Sequence, residues 1–252
     1  MRMRFSALIL SAFFSAALMA APATWEENVK SSLINENPGY FAHLMKERPE
    51  ALNQPFLDGE TPITFACKLQ LETPMKLHIL EVPGFDPEAL NEYGETALMT
   101  AVFFKDNELA RALIEKKGAL VDPDTEWSPL MYAATSGNIE AINLLLDKGA
   151  KIDRQNSTGV TALYMGAREG RLQAVTTLLE AGAAPDLCTD DGVSPARIAR
   201  MRHHEKLKDV LAVSTCRISG RMRDANMPSF ANKDEKAQET PAPGTEVEIT
   251  AP

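Results

Sequence analysis

The 252-residue sequence lacks the short motifs that mark catalytic or cofactor sites. It has no G-x-S-x-G turn for a nucleophilic serine, no phosphate-binding P-loop, no zinc-binding H-E-x-x-H and no C-x-x-C pair. The nearest approach to a metal cluster is His203-His204-Glu205, but adjacent histidines on a helix point in different directions. We interpret these three residues as a solvated turn, and we expect no enzymatic activity, no metal and no cofactor.

Positive charge is also scarce. The chain has 26 Lys and Arg against 35 Asp and Glu, a formal net charge of −9. No basic cluster with interleaved aromatic residues is present. Because an acidic chain is repelled by phosphate backbones, we expect no nucleic-acid partner.

Long apolar runs are absent after the first twenty residues. Arg2 and Arg4 precede an apolar stretch over 5–19, and Ala20 and Ala21 then precede Pro22. This layout is typical of a secretory signal peptide at 1–20, with cleavage after Ala20. An uncleaved anchor is the alternative, but the run is shorter than the roughly 20 residues that span a membrane. The short Ala-rich signal indicates a bacterial exported protein. We therefore expect a periplasmic or secreted product, with no membrane partner after cleavage.

What the sequence does contain is a repeat of 32 to 35 residues. A Thr or Ser followed by Pro or Ala begins each copy, as expected for a helix whose hydroxyl caps free N–H groups. Small residues follow in the first helix, and a second helix carries aliphatic residues at spacings of one helical face. A Gly then fits a left-handed helix end. The five starting motifs are Thr61-Pro62-Ile63, Thr96-Ala97-Leu98, Ser128-Pro129-Leu130, Thr161-Ala162-Leu163 and Ser194-Pro195-Ala196.

This pattern resembles the ankyrin repeat. The resemblance implies an all-α repeat solenoid of stacked helix-turn-helix units with short turn or β-hairpin fingers, capped at both ends. It divides the chain into cap helices at 21–56 and five repeats over 57–213. The acidic, Pro-rich segment 214–252 has few aliphatic residues, so we expect a disordered tail, with a partner-binding segment as the alternative. The expected repeats are 57–90, 91–122, 123–155, 156–188 and 189–213. Two departures stand out: Pro74 and the segment 82–85 interrupt the first repeat, and Glu126 stands where the third would carry its turn Gly.

Three cysteines do not make a disulfide framework, but one pair could close in an oxidising compartment. Cys188 lies just before the first helix of the last unit and Cys216 just after its second, so both should lie at the same end of that unit. We predict a bridge between them, with two free thiols as the alternative. Cys67 occupies a small-residue position and is expected to be a buried core thiol.

The resemblance also implies where a protein partner would bind, since ankyrin proteins typically use their turn tips and the exposed side of the first helices. Four aromatic residues fall at such positions in two adjacent units, and large aromatics dominate interface energies. Alternatively, Phe103 or Phe104 could fold inward, and Trp127 could pack on the neighbouring turn. The positions selected are Glu92, Tyr93, Glu95, Phe103, Phe104, Asp124, Trp127, Ser136, Arg168, Glu169, Asp190 and Asp191.

The expected function is therefore a non-catalytic protein–protein interaction module in the bacterial periplasm. Exported bacterial ankyrin proteins include immunity partners of toxic effectors such as lipases, which makes an inhibitor the first expectation. Others are linked to peroxide resistance, so a scaffold in stress defence is the alternative.

Overall fold

The computed structural model describes residues 23–211. The predicted signal peptide, Cys216 and the predicted tail at 214–252 lie outside this range. Within it the chain forms eleven α-helices and two short 3-10 helices, Pro49–Leu52 and Glu205–Leu207. The α-helices are α1 Trp25–Ile34, α2 Pro38–Glu47, α3 Pro62–Lys68, α4 Thr73–Glu81, α5 Ala97–Phe103, α6 Asn107–Lys117, α7 Pro129–Ser136, α8 Ile139–Asp147, α9 Ala162–Arg168, α10 Leu172–Glu180 and α11 Pro195–Met201.

The helices form two parallel stacks. Odd-numbered helices pack against the next odd-numbered helix from α1 to α11, and even-numbered helices do the same from α2 to α10. We call the odd stack the inner helices and the even stack the outer helices. One continuous apolar core runs between the stacks from Val29 to Leu211. The predicted all-α repeat solenoid is confirmed.

Each inner helix from α3 onward begins at the predicted hydroxyl. The side-chain oxygens of Thr61, Thr96, Ser128, Thr161 and Ser194 each accept a hydrogen bond from the backbone N–H three residues later. These bonds satisfy N–H groups that have no partner within the helix. Pro74 does not interrupt the first repeat as predicted. It lies in the first turn of α4, where the N–H it lacks would have no helical partner.

The turn from inner to outer helix is the same in six units. In each, a residue with positive φ is followed by a backbone N–H that donates to a carbonyl five residues back. The accepting carbonyls belong to Ser32, Ala66, Ala101, Ala133, Gly166 and Ala199. The α1–α2 pair therefore follows the geometry of a repeat unit. Non-glycine residues take the positive φ in four units: Glu36, Gln70, Lys105 and His203.

The fingers that precede each inner helix are tight turns. Four of them are closed by a pair of backbone hydrogen bonds. In the second finger, Asn91 N–H donates to Glu95 O at 3.1 Å and Gly94 N–H donates to Asn91 O at 3.0 Å. No β-strand forms between residues 23 and 211, so in this range the fingers take the turn form and not the β-hairpin form. Neighbouring fingers also join directly, since Glu92 N–H donates to Gly59 O at 2.9 Å.

The third finger is shorter than its successors. Nine positions separate Ala119 from Ser128, where eleven separate Ala150 from Thr161. In this finger the Thr125 N–H donates to Pro123 O at 2.9 Å, and the Thr125 side chain closes the loop because its Oγ1 donates to Trp127 O at 2.7 Å. The absence of the turn Gly at Glu126 therefore accompanies a shorter third finger.

Candidate protein-binding surface

The structure separates the twelve predicted binding positions by exposure. Tyr93 and Phe103 are exposed over 61% and 38% of their surface. The other exposed positions are Glu92, Asp124, Asp190 and Asp191, and the half-buried ones are Glu95, Phe104, Trp127, Arg168 and Glu169.

Ser136 is the exception, since it is buried and cannot contact a partner. Its hydroxyl lies 3.3 Å from Val102 O in α5 and 3.2 Å from Ala133 O in its own helix. The structure therefore does not bring Ser136 to the predicted binding surface, because this serine joins two neighbouring inner helices.

Of the four aromatics singled out in the sequence, two are mainly structural. Phe104 and Trp127 are partly buried and pack against the apolar core, as the alternative interpretation allowed. Tyr93 and Phe103 are the two that offer substantial aromatic surface to solvent.

Phe103 belongs to an aromatic cluster that spans α5 and α7. Its ring meets Phe104 at a centroid distance of 5.2 Å and an interplanar angle of 86°, and it meets Tyr132 at 6.0 Å and 77°. Such edge-to-face contacts are favourable and hold each ring in one orientation. Sequence reasoning missed Tyr132. The available signal was its register, because Tyr132 occupies the same repeat position as Phe65.

A chain of polar contacts connects this cluster with the preceding unit. The Tyr132 hydroxyl donates to Glu95 Oε1 at 2.8 Å, and Asn91 Nδ2 donates to Glu95 Oε2 at 2.8 Å and to Glu60 Oε2 at 3.0 Å. Glu60 is buried and pairs with Lys68. Burial, followed by the neighbouring Glu95 carboxylate, raises the pKa of Tyr132 above its ordinary value. The Tyr132 phenol therefore stays a neutral donor to Glu95.

Tyr93 is held in place although most of it is exposed. Lys68 Nζ lies 4.6 Å from the centre of its ring, and its hydroxyl lies 3.3 Å from Asp58 O. Both contacts come from the preceding unit. The ring is thus positioned before any partner arrives, which lowers the entropy lost on binding.

Four of the five finger loops carry negative charge, and the fourth is uncharged. We define them as residues 56–60, 91–95, 122–127, 155–160 and 188–193, and none contains a Lys or Arg. Their acidic residues are Asp58, Glu60, Glu92, Glu95, Asp122, Asp124, Glu126, Asp190 and Asp191. The row of fingers is therefore an acidic edge along the inner helices.

The described part of the chain contains neither a metal-binding cluster nor a helix that could span a membrane. No group of His, Cys, Asp or Glu in residues 23–211 could hold a metal ion. A ring nitrogen of His204 instead lies 2.9 Å from Arg168 O. In the same range, no helix has the length and apolarity needed to cross a membrane.

Two of the cysteines lie in the described range. Cys67 is a free, buried thiol as predicted, and burial raises its pKa to about 12. Cys188 is also buried. Cys216 lies outside the described residues, so its bridge with Cys188 stays a prediction.

Comparison with known families and proteins agrees with this architecture. A family model described as ankyrin repeats, in three copies, matches residues 71–156 and 119–191. This chain contains ankyrin repeats. The repeat region is also similar to part of the glycerophosphocholine phosphodiesterase gde1 of Schizosaccharomyces pombe, with 36% identity over 87 residues. That match covers 33% of this chain and only 8% of the length of the phosphodiesterase.

Ankyrin repeats are generally non-catalytic and suggest a protein–protein interaction module with protein partners. The surface made by the finger loops and the inner helices is consistent with such a role. We call the exposed Tyr93 and Phe103, together with the half-buried Tyr132 and Glu95, the aromatic patch.

Proposed function

We propose that this ankyrin-repeat protein is a non-catalytic inhibitor in the bacterial periplasm. It would act as the immunity partner of a secreted toxic effector such as a lipase. The observation that carries the proposal is the aromatic patch, in which Tyr93 and Phe103 are exposed yet held in position by neighbouring units.

The patch has the properties of an interface anchor. Binding energy is concentrated in a few large aromatic or Arg residues that become fully buried in the complex. Tyr93 is already ordered by Lys68 and Phe103 by Tyr132. A partner that covers these rings would bury apolar area while ordering few side chains.

Export is supported by the pattern of residues 1–20, in which two arginines precede an apolar run that ends in Ala20-Ala21. An inhibitor suits a rigid scaffold, because a preformed concave surface can cover the active site of an enzyme without rearranging itself. The choice of an effector as partner rests on the similarity to exported ankyrin proteins.

Affinity capture from periplasmic extract with the wild-type protein would identify the target, and titration calorimetry would give its dissociation constant. The double substitution Tyr93→Ala/Phe103→Ala should weaken binding about a hundredfold or more, as loss of two hot-spot residues does. The wild-type protein should also inhibit the captured enzyme, and the double variant should inhibit it poorly.

Tyr40→Ala is the matched control, because Tyr40 is a 40% exposed tyrosine of the outer helix α2. It should bind and inhibit as the wild type does. Circular dichroism must show that all variants keep their helical content. Equal binding by the double variant and the control would disprove the assigned surface, and capture of a catalase or peroxidase would disprove the effector.

A further inference from the structure

Lysines stack on aromatic rings at the two N-terminal junctions between inner helices. At the α1–α3 junction, Lys30 Nζ lies 4.9 Å from the ring centre of Phe56 and 5.4 Å from that of Phe65. The same ammonium pairs with Glu26 and Asp58, each at 2.7 Å. A cation, an aromatic surface and a carboxylate thus occur together.

The α3–α5 junction repeats this combination. Lys68 lies over the Tyr93 ring and pairs with Glu60, the residue directly before the capping Thr61. Burial disfavours the Lys68 ammonium, but the hydrogen bond and charge of Glu60 outweigh it and raise the Lys68 pKa. Here the lysine follows its carboxylate by eight positions.

At the α5–α7 junction the carboxylate and the rings are present, but the lysine is not. Glu95 directly precedes the capping Thr96, which is the position that Glu60 has in the preceding unit. Eight positions after Glu95 stands Phe103 in place of a lysine. Within residues 23–211, no cation lies over Phe103 or Tyr132 and no ion pair includes Glu95.

Glu95 retains capacity to accept a further hydrogen bond. Each of its oxygens accepts one hydrogen bond, from Tyr132 and Asn91 respectively, whereas a carboxylate has about four acceptor positions. Glu95 is half-buried, so a counter-ion can still reach it from solvent. The Lys68 ammonium acts on the Glu95 carboxylate through its charge but forms its ion pair with Glu60. The Glu95 charge is thus neutralised less completely than that of Glu60.

The surroundings favour a cation from outside the chain. The third finger, adjacent to this junction, is two residues shorter than those that follow. Exposed carboxylates of Glu92 and Asp124 lie on the fingers to either side. Arg154 pairs with Asp122 at 3.8 Å, but Glu92 and Asp124 have no ion pair within residues 23–211. The charge of these two carboxylates attracts cations.

We propose that Phe103, Tyr132 and Glu95 form a binding site for an arginine or lysine side chain of the protein partner. The cation would lie on the aromatic rings and donate to Glu95, as Lys68 does to Glu60 within the chain. Arginine fits best because its planar guanidinium can stack on a ring and donate to a carboxylate at once. This inference rests on the proposed binding function and specifies the chemistry of the partner.

The site can be tested without knowing the partner. The probe is acetyl-Gly-Leu-Arg-Leu-Gly-amide, titrated into isotope-labelled protein expressed from the whole chain and followed by two-dimensional NMR. The matched probe replaces Arg by citrulline, which has nearly the same shape but no charge. The arginine peptide should shift the resonances of Phe103, Tyr132 and Glu95 and bind about tenfold more tightly than the citrulline peptide.

Two substitutions and one control localise the effect. Phe103→Lys places a lysine eight positions after Glu95, as in the preceding unit, and should abolish the preference for the arginine peptide while keeping the fold. Glu95→Gln should lower the affinity for that peptide about tenfold, because the charge is lost but an acceptor remains. Phe103→Leu, which adds no charge, should retain most of the preference.

Equal binding of the two peptides, shifts confined to Asp190 and Asp191, or no binding at all would each overturn the cation site. The proposed function fails by a different result, namely target binding that is unaffected by loss of both Tyr93 and Phe103. If the partner loses affinity for the Tyr93→Ala/Phe103→Ala variant but binds the Glu95→Gln variant as tightly as the wild type, the proposed interface is supported and the cation site is excluded.

Discussion

The ion pair of Lys76 in α4 and Asp106, the capping residue of α6, joins two neighbouring outer helices in the interior of the solenoid. Their side chains are only 6% and 9% exposed. Asp106 also accepts hydrogen bonds from Thr73 Oγ1 at 3.2 Å and from the Leu109 N–H at 3.1 Å. The Lys76 ammonium has the Asp106 carboxylate as its only counter-ion among the described residues, whereas that carboxylate also accepts hydrogen bonds from two other donors. Removing either partner should therefore have unequal effects.

Asp106→Asn removes the charge but keeps a good capping side chain. Stability is therefore lost because the Lys76 ammonium stays buried without a counter-ion. We expect a loss of about 3–4 kcal/mol in the free energy of unfolding. Lys76→Met leaves a carboxylate that still accepts two hydrogen bonds, and should cost less, about 2 kcal/mol. The double variant places an amide beside an apolar chain and should recover at least about 2 kcal/mol relative to Asp106→Asn.

Thermal and urea unfolding followed by circular dichroism would measure these differences. For a chain of this size, 3 kcal/mol corresponds to a fall of roughly 6–12 °C in Tm. Arg111→Met is the control, because Arg111 forms only exposed pairs, with Glu115 at 3.8 Å and with Glu140 at 3.7 Å, and should change stability by less than about 0.5 kcal/mol. If the double variant is as unstable as the sum of the two single changes, the pairing of buried charges does not explain the stability of this interface.

Two further predictions concern the backbone and the buried thiol. Gly170→Ala should cost about 2–4 kcal/mol, because the new Cβ would lie 2.6 Å from the His204 ring at a φ of +66°. Gly137→Ala, at a φ of +68° with the flexible Arg171 side chain 3.1 Å away, should cost only about 1 kcal/mol; equal losses of Tm would contradict the steric argument. Because burial raises the pKa of Cys67 to about 12, iodoacetamide at pH about 8 should label it only after unfolding. Mass spectrometry of the Cys67 peptide checks this, and labelling of the folded protein at the rate of a free thiol would refute it.

Much of the architecture follows from local rules, and could therefore be predicted from residues close together in the chain. The hydroxyl at Thr96 caps its own helix, and the aliphatic spacing of α8 and α10 places one face of each in the core. The candidate surface was predicted less well. Repeat register selected Tyr93 and Phe103, which the structure shows to be exposed. Register alone cannot give exposure, because exposure depends on whether the neighbouring unit covers the side chain.

The contacts of Ser136 and Tyr132 could not be predicted from residues nearby in the sequence. Ser136 comes directly after the small residues of α7, where repeat register predicts an exposed side chain. In the structure its hydroxyl instead lies against Val102 O of the preceding unit. Tyr132 reads as one aromatic residue in an inner helix, and it reaches Glu95 across 37 positions of chain. Contacts of that separation arise only when the units stack.

The sequence by itself determined that the chain is a repeat of capped helix pairs, because capping, turn residues and helical periodicity act over a few residues. It also determined the charge of the fingers, which is a matter of composition. Only the tertiary structure decided which aromatic residues remain exposed and that the Glu95 carboxylate has a tyrosine partner where the Glu60 carboxylate has a lysine. The physical reason is that burial and pairing are set by the neighbouring unit, roughly one repeat away in sequence but in direct contact in space.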